Sequence, residues 1–319
     1  MFKWKKLGKV FDPTEHQNGD WLNEFAQAPH VLEFEDYIRV YFSCRPESDE
    51  NGQYVSYSAY VDLDKDTFDV LEVAKQPFLE LGDIGTFDEF GTYPVSVLKE
   101  NNKYMAYYGG WTRCESVPFN VAIGYAESDD GKSFRRLGHG PILSYTIDEP
   151  FILSGPKIRK FNDMLYLFYI AGRKWVQVNG KPEPIYKIRM AHSEDGINWV
   201  KHNKDLIDDL LNENEAQASP DVIFSNGIYH MFFCYREASD FRHNKDRSYR
   251  IGYAYSNDLI NWHRNDSKVG INVSEDGWDS EMLAYPHIVE LNNKTYMFYL
   301  GNGVGQYGFG VAELEGELL

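Results

Sequence analysis

The sequence is poor in cysteine and in long apolar runs. Its 319 residues include three cysteines, Cys44, Cys114 and Cys234, whose spacing matches no metal-binding motif. An odd and sparse set of this kind predicts reduced thiols and a cytoplasmic location. The N-terminal lysines are not followed by the apolar core of a secretory signal, and no stretch reaches the length of a transmembrane helix. We therefore expect no membrane partner.

Positive charge is also scarce. The chain has 32 lysines and arginines against 49 aspartates and glutamates, which gives a net charge of −17. Such a surface repels phosphate groups, so the composition argues against nucleic acids and anionic membranes as partners. Walker loops, dinucleotide-binding fingerprints and Ser-His-Asp motifs are missing as well, and no organic cofactor is predicted. A small basic pocket within the acidic surface remains compatible with these numbers.

Aromatic residues, in contrast, make up 16% of the chain, and they recur in a repeated pattern. Each copy starts with a proline that precedes a short apolar run, and the prolines follow one another every 62–66 residues. The five copies start at Pro29, Pro94, Pro156, Pro220 and Pro286. Regular spacing of this kind indicates a repeat architecture.

Within each copy, turn residues such as Asn226-Gly227 separate the first run from an aromatic-rich second run, and a third run follows. This pattern is typical of four-stranded antiparallel sheets arranged radially, as in a β-propeller. Only 33 residues follow Pro286, which is too few for a fourth strand, so Trp4 to Val10 is predicted to complete the last sheet. The predicted fold is therefore all-β: one five-bladed β-propeller domain over residues 1–319, closed by an N-terminal strand.

Comparison of the five copies reveals a row of carboxylates before the first strands. Five residues before each proline stand Glu24, Glu89, Phe151, Glu215 and Glu281, with Asp88 and Asp279 close by. Paired carboxylates at strand entrances could serve as the acid and base of glycosyl transfer. The catalytic candidates are Asp88, Glu89, Glu215, Asp279 and Glu281. The alternative is that these loops are acidic only because the whole surface is acidic.

A second row lies at the end of each second strand. It consists of Arg45, Arg113, Arg173, Arg236 and Asn302. One interpretation is a ring that grips an anion through bidentate contacts, and the other is that each arginine pairs with a carboxylate of the first row. Aromatic residues near this level, which could stack on sugar rings, add Trp111, Trp175 and Tyr186 to the substrate-binding candidates.

His30 and His287 follow the proline in the first and fifth copies. They could bind a structural metal ion on the propeller axis, but a strand histidine is more often a hydrogen-bonded structural residue, and we adopt that interpretation. No metal site or cofactor is predicted.

The segments Phe87-Asp88-Glu89-Phe90-Gly91 and Gly277-Trp278-Asp279-Ser280-Glu281, with the Ser-Asp-Gly-type turns, resemble the five-bladed propeller glycosidases. That superfamily includes arabinanases, β-xylosidases, invertases and mannoside phosphorylases. The chain is most similar to uncharacterised glycosyl hydrolase-like members found with genes of polysaccharide biosynthesis. The resemblance implies a carbohydrate-active enzyme.

The sequence departs from this superfamily at two catalytic positions. Arabinanase-like enzymes carry an aspartate before the first-blade proline and a glutamate two residues before the third-blade proline; this chain has Ala28 and Ser154 there. Ser154 therefore counts as a substrate-binding candidate. One hypothesis is a hydrolase-like or phosphorylase-like enzyme that acts on an anionic sugar, a sugar phosphate or, with inorganic phosphate, a glycoside. The alternative is a non-hydrolytic carbohydrate-binding or sugar-modifying protein, and a scaffold for protein partners ranks last.

Overall fold

Residues with left-handed backbone angles turn the chain between the first two strands of most repeats. Asn226 and Gly227 have φ values of 50° and 79°, and Asn292 and Asn293 have values of 50° and 61°. Two positive φ values in succession define the tight hairpin turn that matches the twist of adjacent strands, and asparagine and glycine adopt them at low cost. The predicted hairpins therefore form where the dipeptides indicated.

The computed structural model describes residues 1–16 and 21–319, and its strands form five four-stranded antiparallel sheets. The strands of the N-terminal half are β1 (Trp4–Phe11), β2 (Glu24–Glu33), β3 (Tyr37–Arg45), β4 (Tyr57–Asp64), β5 (Val70–Val73), β6 (Thr92–Glu100), β7 (Lys103–Arg113), β8 (Phe119–Ser128), β9 (Arg135–Arg136) and β10 (Leu153–Phe161). Those of the C-terminal half are β11 (Met164–Val178), β12 (Lys181–Ser193), β13 (Val200–Lys201), β14 (Ala216–Ser225), β15 (Ile228–Arg236), β16 (Arg250–Ser256), β17 (His263–Arg264), β18 (Ala284–Leu291), β19 (Lys294–Leu300) and β20 (Phe309–Leu314).

Helical structure is confined to single turns. They are the 3₁₀ segments Pro13–Glu15, Lys245–Arg247 and Asp266–Lys268 and the turn Asn302–Gly305. Across residues 1–16 and 21–319, no helix is long and apolar enough to cross a membrane.

The sheets follow one another as the blades of a five-bladed β-propeller, which confirms the predicted fold. Blade 1 comprises β2–β5, blade 2 β6–β9, blade 3 β10–β13 and blade 4 β14–β17. In blade 5 the order is β1-β20-β19-β18, so the N-terminal strand supplies the outer strand. Trp4 lies opposite Leu314 and Phe11 opposite Phe309. The two ends of the chain thus close the ring by pairing with each other, as the short last repeat predicts.

All five first strands carry a bulge at the residue that precedes the blade proline. In four blades this residue has a positive φ: 53° at Ala28, 60° at Gly155, 48° at Ser219 and 51° at Tyr285. Such angles are sterically unfavourable for any residue but glycine, and for a residue as large as Tyr285 they indicate that the surrounding packing fixes the backbone. The bulge holds the same level in every blade, at the edge of the cavity described below.

Side chains that follow the blade prolines form a buried polar network on the axis. His30, Lys157, Asp221 and His287 are each at most 3% exposed. Asp221 accepts hydrogen bonds from Arg159 at 2.7 Å and lies 2.9 Å from Nδ1 of His287. The network joins blades 1, 3, 4 and 5 and fills the axis with mutually bonded polar groups.

Both axial histidines have protein partners. Nε2 of His30 lies 2.6 Å from the carbonyl oxygen of Val97, and Nε2 of His287 accepts a hydrogen bond of 2.9 Å from the amide of Val31. In the described residues, no cluster of three or more potential ligands could hold a metal ion. These contacts agree with a structural role for the two histidines.

The axial network predicts a pH-dependent stability. Burial lowers the pKa of Lys157 to about 8, although the Asp221 carboxylate raises it. The unfolded chain keeps a lysine pKa of about 10.4, so between pH 8 and 10 it binds more protons than the folded protein and stability rises with pH. In urea unfolding, the free energy of unfolding of the wild type, relative to that of Lys157→Met, should rise by about 1–2 kcal/mol between pH 7.5 and 9.5. A difference between wild type and Lys157→Met that does not change with pH would contradict this interpretation. Lys103→Met, at an exposed lysine, is the control and should show no such change with pH.

Candidate functional site

A cavity of about 700 Å³ opens on the propeller axis beside the buried polar network. All five blades contribute to it, through the starts of their first strands and the loops and strand ends around them. Each first strand contributes a lining residue at or next to its bulge, and these residues are Gln27, Tyr93, Ser154, Ser219 and Tyr285. The cavity is therefore the funnel expected at one end of a propeller.

Its charge is opposite to that of the protein. The lining includes five cationic side chains, which are Arg45, Arg113, Lys181, Arg236 and Arg242. Glu183 is the one carboxylate among the described lining residues, and it forms an ion pair with Arg242. In a chain of net charge −17, the cavity wall is thus a local concentration of positive charge.

Arg45 is enclosed by aromatic rings rather than by carboxylates. Its guanidinium carbon lies 4.7 Å from the ring centre of Phe25, 5.1 Å from that of Tyr54 and 6.0 Å from that of Trp111. Nε donates to Ser56 at 3.2 Å, and no carboxylate among residues 1–16 and 21–319 forms an ion pair with the guanidinium. Burial lowers the pKa of Arg45, and the surrounding tyrosines and Glu24, which lies opposite Arg45 in the pairing of β2 with β3, offset this only in part. Within residues 1–16 and 21–319, its Nη1 and Nη2 groups have no hydrogen-bond acceptor.

Arg236 is the second cavity arginine without a carboxylate partner in the described chain. It is 2% exposed, stacks on Phe241 at 3.7 Å and donates from Nε to the hydroxyl of Tyr249 at 3.1 Å. Burial alone would lower the pKa of Arg236, but Tyr186 and Tyr249 outweigh it and the pKa is raised. A buried charge without a counter-ion is costly unless a ligand supplies one. Besides the tyrosine hydroxyls, its partners are backbone carbonyl oxygens, those of Glu237 at 2.8 Å and Pro184 at 3.4 Å, so its charge is balanced by neutral acceptors only.

Two tyrosine hydroxyl groups on the cavity wall share a hydrogen bond that leaves one hydroxyl hydrogen without an acceptor in the described chain. The hydroxyls of Tyr186 and Tyr249 lie 2.9 Å apart, and Arg236 donates to both of them, at 3.4 Å and 3.1 Å. Each hydroxyl has one hydrogen, and one of the two is used between them. The other has no acceptor in the part of the chain that the structure describes. It is available to an oxygen atom of a ligand.

The other members of the predicted arginine row have partners. Arg113 lines the cavity but pairs with Asp49 at 3.1 Å, and Arg173 pairs with Asp205 and does not line it. Asn302 holds a loop together, since it accepts from the amide of Glu281 at 2.8 Å and donates to Gly277 at 3.0 Å. The ion-pair interpretation thus fits Arg113 and Arg173, although with other carboxylates than the predicted row.

Of the remaining predicted binding residues, Trp111, Tyr186 and Ser154 line the cavity. Nε1 of Trp111 donates to the carbonyl of Tyr93 at 2.7 Å, which fixes the indole on the wall. Trp175 stacks on Phe151 at 5.9 Å, behind the lining. Ser154 thus occupies the wall at the position where related enzymes carry their acid, and it supplies a hydroxyl instead of a carboxyl group.

The structure places three of the five predicted carboxylates, Asp88, Glu215 and Asp279, in ion pairs with cations of the outer strands. Asp88 is 1% exposed and contacts Arg136 of β9 at 2.7 Å and the hydroxyl of Tyr108 at 2.8 Å. Asp279 repeats this arrangement with Lys6 of β1 at 2.6 Å and Tyr299 at 3.0 Å. Neither lines the cavity. Their carboxylates are saturated by structural donors, so the geometry does not assign them to an acid–base pool.

The other three candidates also lie outside the cavity lining. Glu215 is fully buried and pairs with Arg264 of β17 at 2.6 Å. Burial raises its pKa, but the hydrogen bond and charge of Arg264 outweigh burial and the pKa of Glu215 is lowered. A general acid needs the opposite shift. Glu89 accepts from the amide of Gly85 at 2.9 Å, and the side chain of Glu281 is exposed.

The sequence comparison missed several lining residues. Tyr93 and Tyr285 stand before their blade prolines, where alignment of the repeats could have found them, and burial raises the pKa of Tyr93 to about 12. Tyr54, Tyr249 and Arg242 come from loops between strands or their edges, and no repeated pattern marks them.

No protein-family model matches the chain. An uncharacterized protein of Mycobacterium tuberculosis strain H37Rv is 33% identical over 313 residues, which cover 98% of this chain and 99% of that protein. A beta-1,2-mannobiose phosphorylase of Thermoanaerobacter is 24% identical over 176 residues, 52% of this chain and 54% of the phosphorylase.

Solved structures share the fold at lower identity. A glycoside hydrolase matches with a TM-score of 0.76 and 15% identity over 99% of this chain and 93% of its own. The beta-1,2-mannobiose phosphorylase of Listeria innocua matches with a TM-score of 0.69 and 13% identity over 98% of this chain and 96% of its own.

The buried carboxylates are expected to act on stability. Glu215→Gln removes the negative charge beside Arg264, which keeps its ion pair with Asp266 at 2.8 Å. The expected cost is therefore that of weakened buried hydrogen bonds, about 1–3 kcal/mol. We expect that decrease in the free energy of unfolding by urea titration. Glu213→Gln, at a side chain that is 84% exposed, is the matched control and should change stability by less than about 0.5 kcal/mol. Equal stability of the two variants would show that the Glu215 pair is not structural.

Proposed function

Because the chain belongs to the family of the mycobacterial protein and has the five-bladed propeller fold of glycoside hydrolases and mannoside phosphorylases, we propose that it is a carbohydrate-active enzyme whose axial cavity binds an anionic substrate. The observation that carries the proposal is the buried guanidinium of Arg236, which lies on the cavity wall without a carboxylate partner in the described chain. The guanidinium already donates to the carbonyl oxygens of Glu237 and Pro184 and to the hydroxyl of Tyr186, all of them neutral acceptors. Phosphate, a sugar phosphate or an acidic sugar would supply the negative charge that these acceptors lack.

Phosphorolysis suits this cavity better than hydrolysis. Hydrolysis by two carboxylates needs one as the acid and one as the base or nucleophile. The described lining has one carboxylate, Glu183, and it is tied to Arg242. Phosphate is itself an anionic nucleophile and needs no carboxylate to activate it. It requires cations to hold it and a donor for the leaving oxygen, and the arginines and the free phenolic proton meet both needs.

In this reaction the glycosyl group is transferred from the glycosidic oxygen to phosphate. An oxygen of hydrogen phosphate attacks the anomeric carbon, the bond from that carbon to the glycosidic oxygen breaks, and the leaving oxygen takes a proton from the phenolic pair of Tyr186 and Tyr249. Hydrogen phosphate gives up its own proton, which restores the pair. The products are a sugar 1-phosphate and a shortened saccharide. The positive charge of Arg236 stabilises the phosphate throughout.

A second candidate is a protein that binds carbohydrate without cleaving it. The residues that favour it are Ala28 and Ser154, which replace the two carboxylates of arabinanase-like enzymes. A fold can persist after its reaction is lost.

Product analysis separates the two candidates. The protein is incubated with β-1,2-mannobiose and with oligosaccharides that contain uronic acids, each with and without inorganic phosphate, and the products are analysed by chromatography. We expect a sugar 1-phosphate that forms only when phosphate is present. Equal cleavage without phosphate would contradict phosphorolysis, whereas saccharide binding without any product would support the second candidate.

The anion site can be tested without a known saccharide. Arg236→Met should weaken the binding of inorganic phosphate at least about tenfold in calorimetry at low ionic strength, because it removes the buried cation. Arg236→Lys should lose less, since it keeps the charge but not the planar geometry. Arg135→Met, at a surface arginine that is 66% exposed, should bind like wild type. Unchanged phosphate binding in a folded Arg236→Met variant would refute the assignment.

A further inference from the structure

The two arginines without carboxylate partners in the described chain reach the cavity from blades that are not neighbours. Arg45 ends the second strand of blade 1, and Arg236 ends the second strand of blade 4. Each guanidinium has its own surroundings. Arg45 contacts rings of blades 1 and 2, whereas Arg236 contacts the hydroxyls of Tyr186 and Tyr249 in and beside blades 3 and 4.

A floor of tyrosine rings lies between them. Arg45 contacts Tyr93 at 5.8 Å and Arg236 contacts Tyr249 at 5.7 Å, measured to the ring centres. Tyr285 lies between these two rings, with its centre 6.5 Å from that of Tyr93 and 6.1 Å from that of Tyr249. The two guanidinium groups therefore lie at the two ends of a series of three tyrosine rings.

The surroundings of Arg45 suit a monoanionic sugar. Four aromatic rings, those of Phe25, Tyr54, Tyr93 and Trp111, lie within 6.0 Å of its guanidinium carbon. Aromatic faces pack against the apolar C–H face of a sugar ring. The two free Nη groups form the fork that a carboxylate binds in bidentate fashion.

The surroundings of Arg236 suit a more highly charged anion. Lys181 and Arg242 lie on the lining as well, and Arg242 comes from the loop that follows β15, the strand of Arg236. The phenolic proton left over by Tyr186 and Tyr249 adds a neutral donor beside the cation. Because Glu183 balances Arg242, the additional positive charge comes from Lys181. This charge and the hydroxyl donor fit phosphate, which carries between one and two negative charges at neutral pH.

We propose that the cavity has two separate anion subsites, one at Arg45 for the carboxylate of a uronic-acid residue and one at Arg236 for phosphate, and that both are occupied at once. This inference rests on the proposed function and narrows its substrate to glycosides of acidic sugars. The sugar spans the tyrosine floor, which brings its glycosidic bond from the Arg45 subsite towards the phosphate.

The experiment measures whether two anions bind together. Inorganic phosphate and D-glucuronate are titrated separately by calorimetry at low ionic strength, and each is then titrated in the presence of a saturating amount of the other. D-galacturonate is run as a second acidic sugar. We expect each affinity to change by less than about threefold when the other anion is present, a coupling of less than about 0.7 kcal/mol.

The variants assign the subsites. Arg45→Met should weaken glucuronate or galacturonate binding at least about tenfold and leave phosphate binding within about twofold. Arg236→Met should show the reverse preference, and Arg135→Met should match wild type in both titrations. Thermal melting of each variant verifies that it is folded.

Three other results of these titrations would each contradict a different part of the proposal. Mutual exclusion of phosphate and uronates would overturn the two subsites but leave one anion site, so the proposed function would survive. Binding of phosphate alone would overturn the acidic-sugar subsite. Failure of both anions to bind would remove the anion-binding basis of the proposed function itself.

Discussion

The carboxylate of Asp221 joins three blades at the propeller axis, and the floor of the cavity depends on it. It accepts from Arg159 of blade 3, and it lies beside His287 and accepts from the amide of Ile288 in blade 5. Burial raises its pKa, but Arg159 and His287 outweigh burial and hold the pKa far below its usual range. An ionised carboxylate without water needs all of these donors. The inner strands must therefore converge on the axis, and their bulges then lie around the cavity.

Two kinds of buried charge result from this architecture. Asp88, Glu215 and Asp279 are balanced by a cation on the outer strand of their own blade, so their contribution is structural. Arg45 and Arg236 form no ion pair with a carboxylate among the described residues, although Arg236 is buried and Arg45 is half-buried. A charge of this kind is costly in a fold, and the proposed anionic ligand is what would balance it.

The sequence predicted the fold because the prolines, turns and apolar runs repeat with the blades. The position of the arginine row along the propeller axis was also predictable, because the ends of equivalent strands lie at the same height in every blade. Arg45, Arg113 and Arg236 all line the cavity. The orientation of the carboxylate side chains could not be predicted. Asp88 turns towards Arg136, 48 residues later, and nothing in the local pattern indicates that pairing. Nor does a proline pattern indicate that the bulge gives Tyr285 a positive φ.

The acidity of the protein constrains how an anion enters this cavity. A net charge of −17 repels phosphate and uronates at long range, so electrostatic steering does not favour their encounter with the protein. Affinity must then arise within the cavity, where aromatic walls exclude water and strengthen each guanidinium contact. At physiological salt the exterior charge is screened beyond about 8 Å, whereas a ligand bonded directly to Arg236 is screened much less. Short-range geometry, more than net charge, would therefore decide which anionic sugars the cavity accepts.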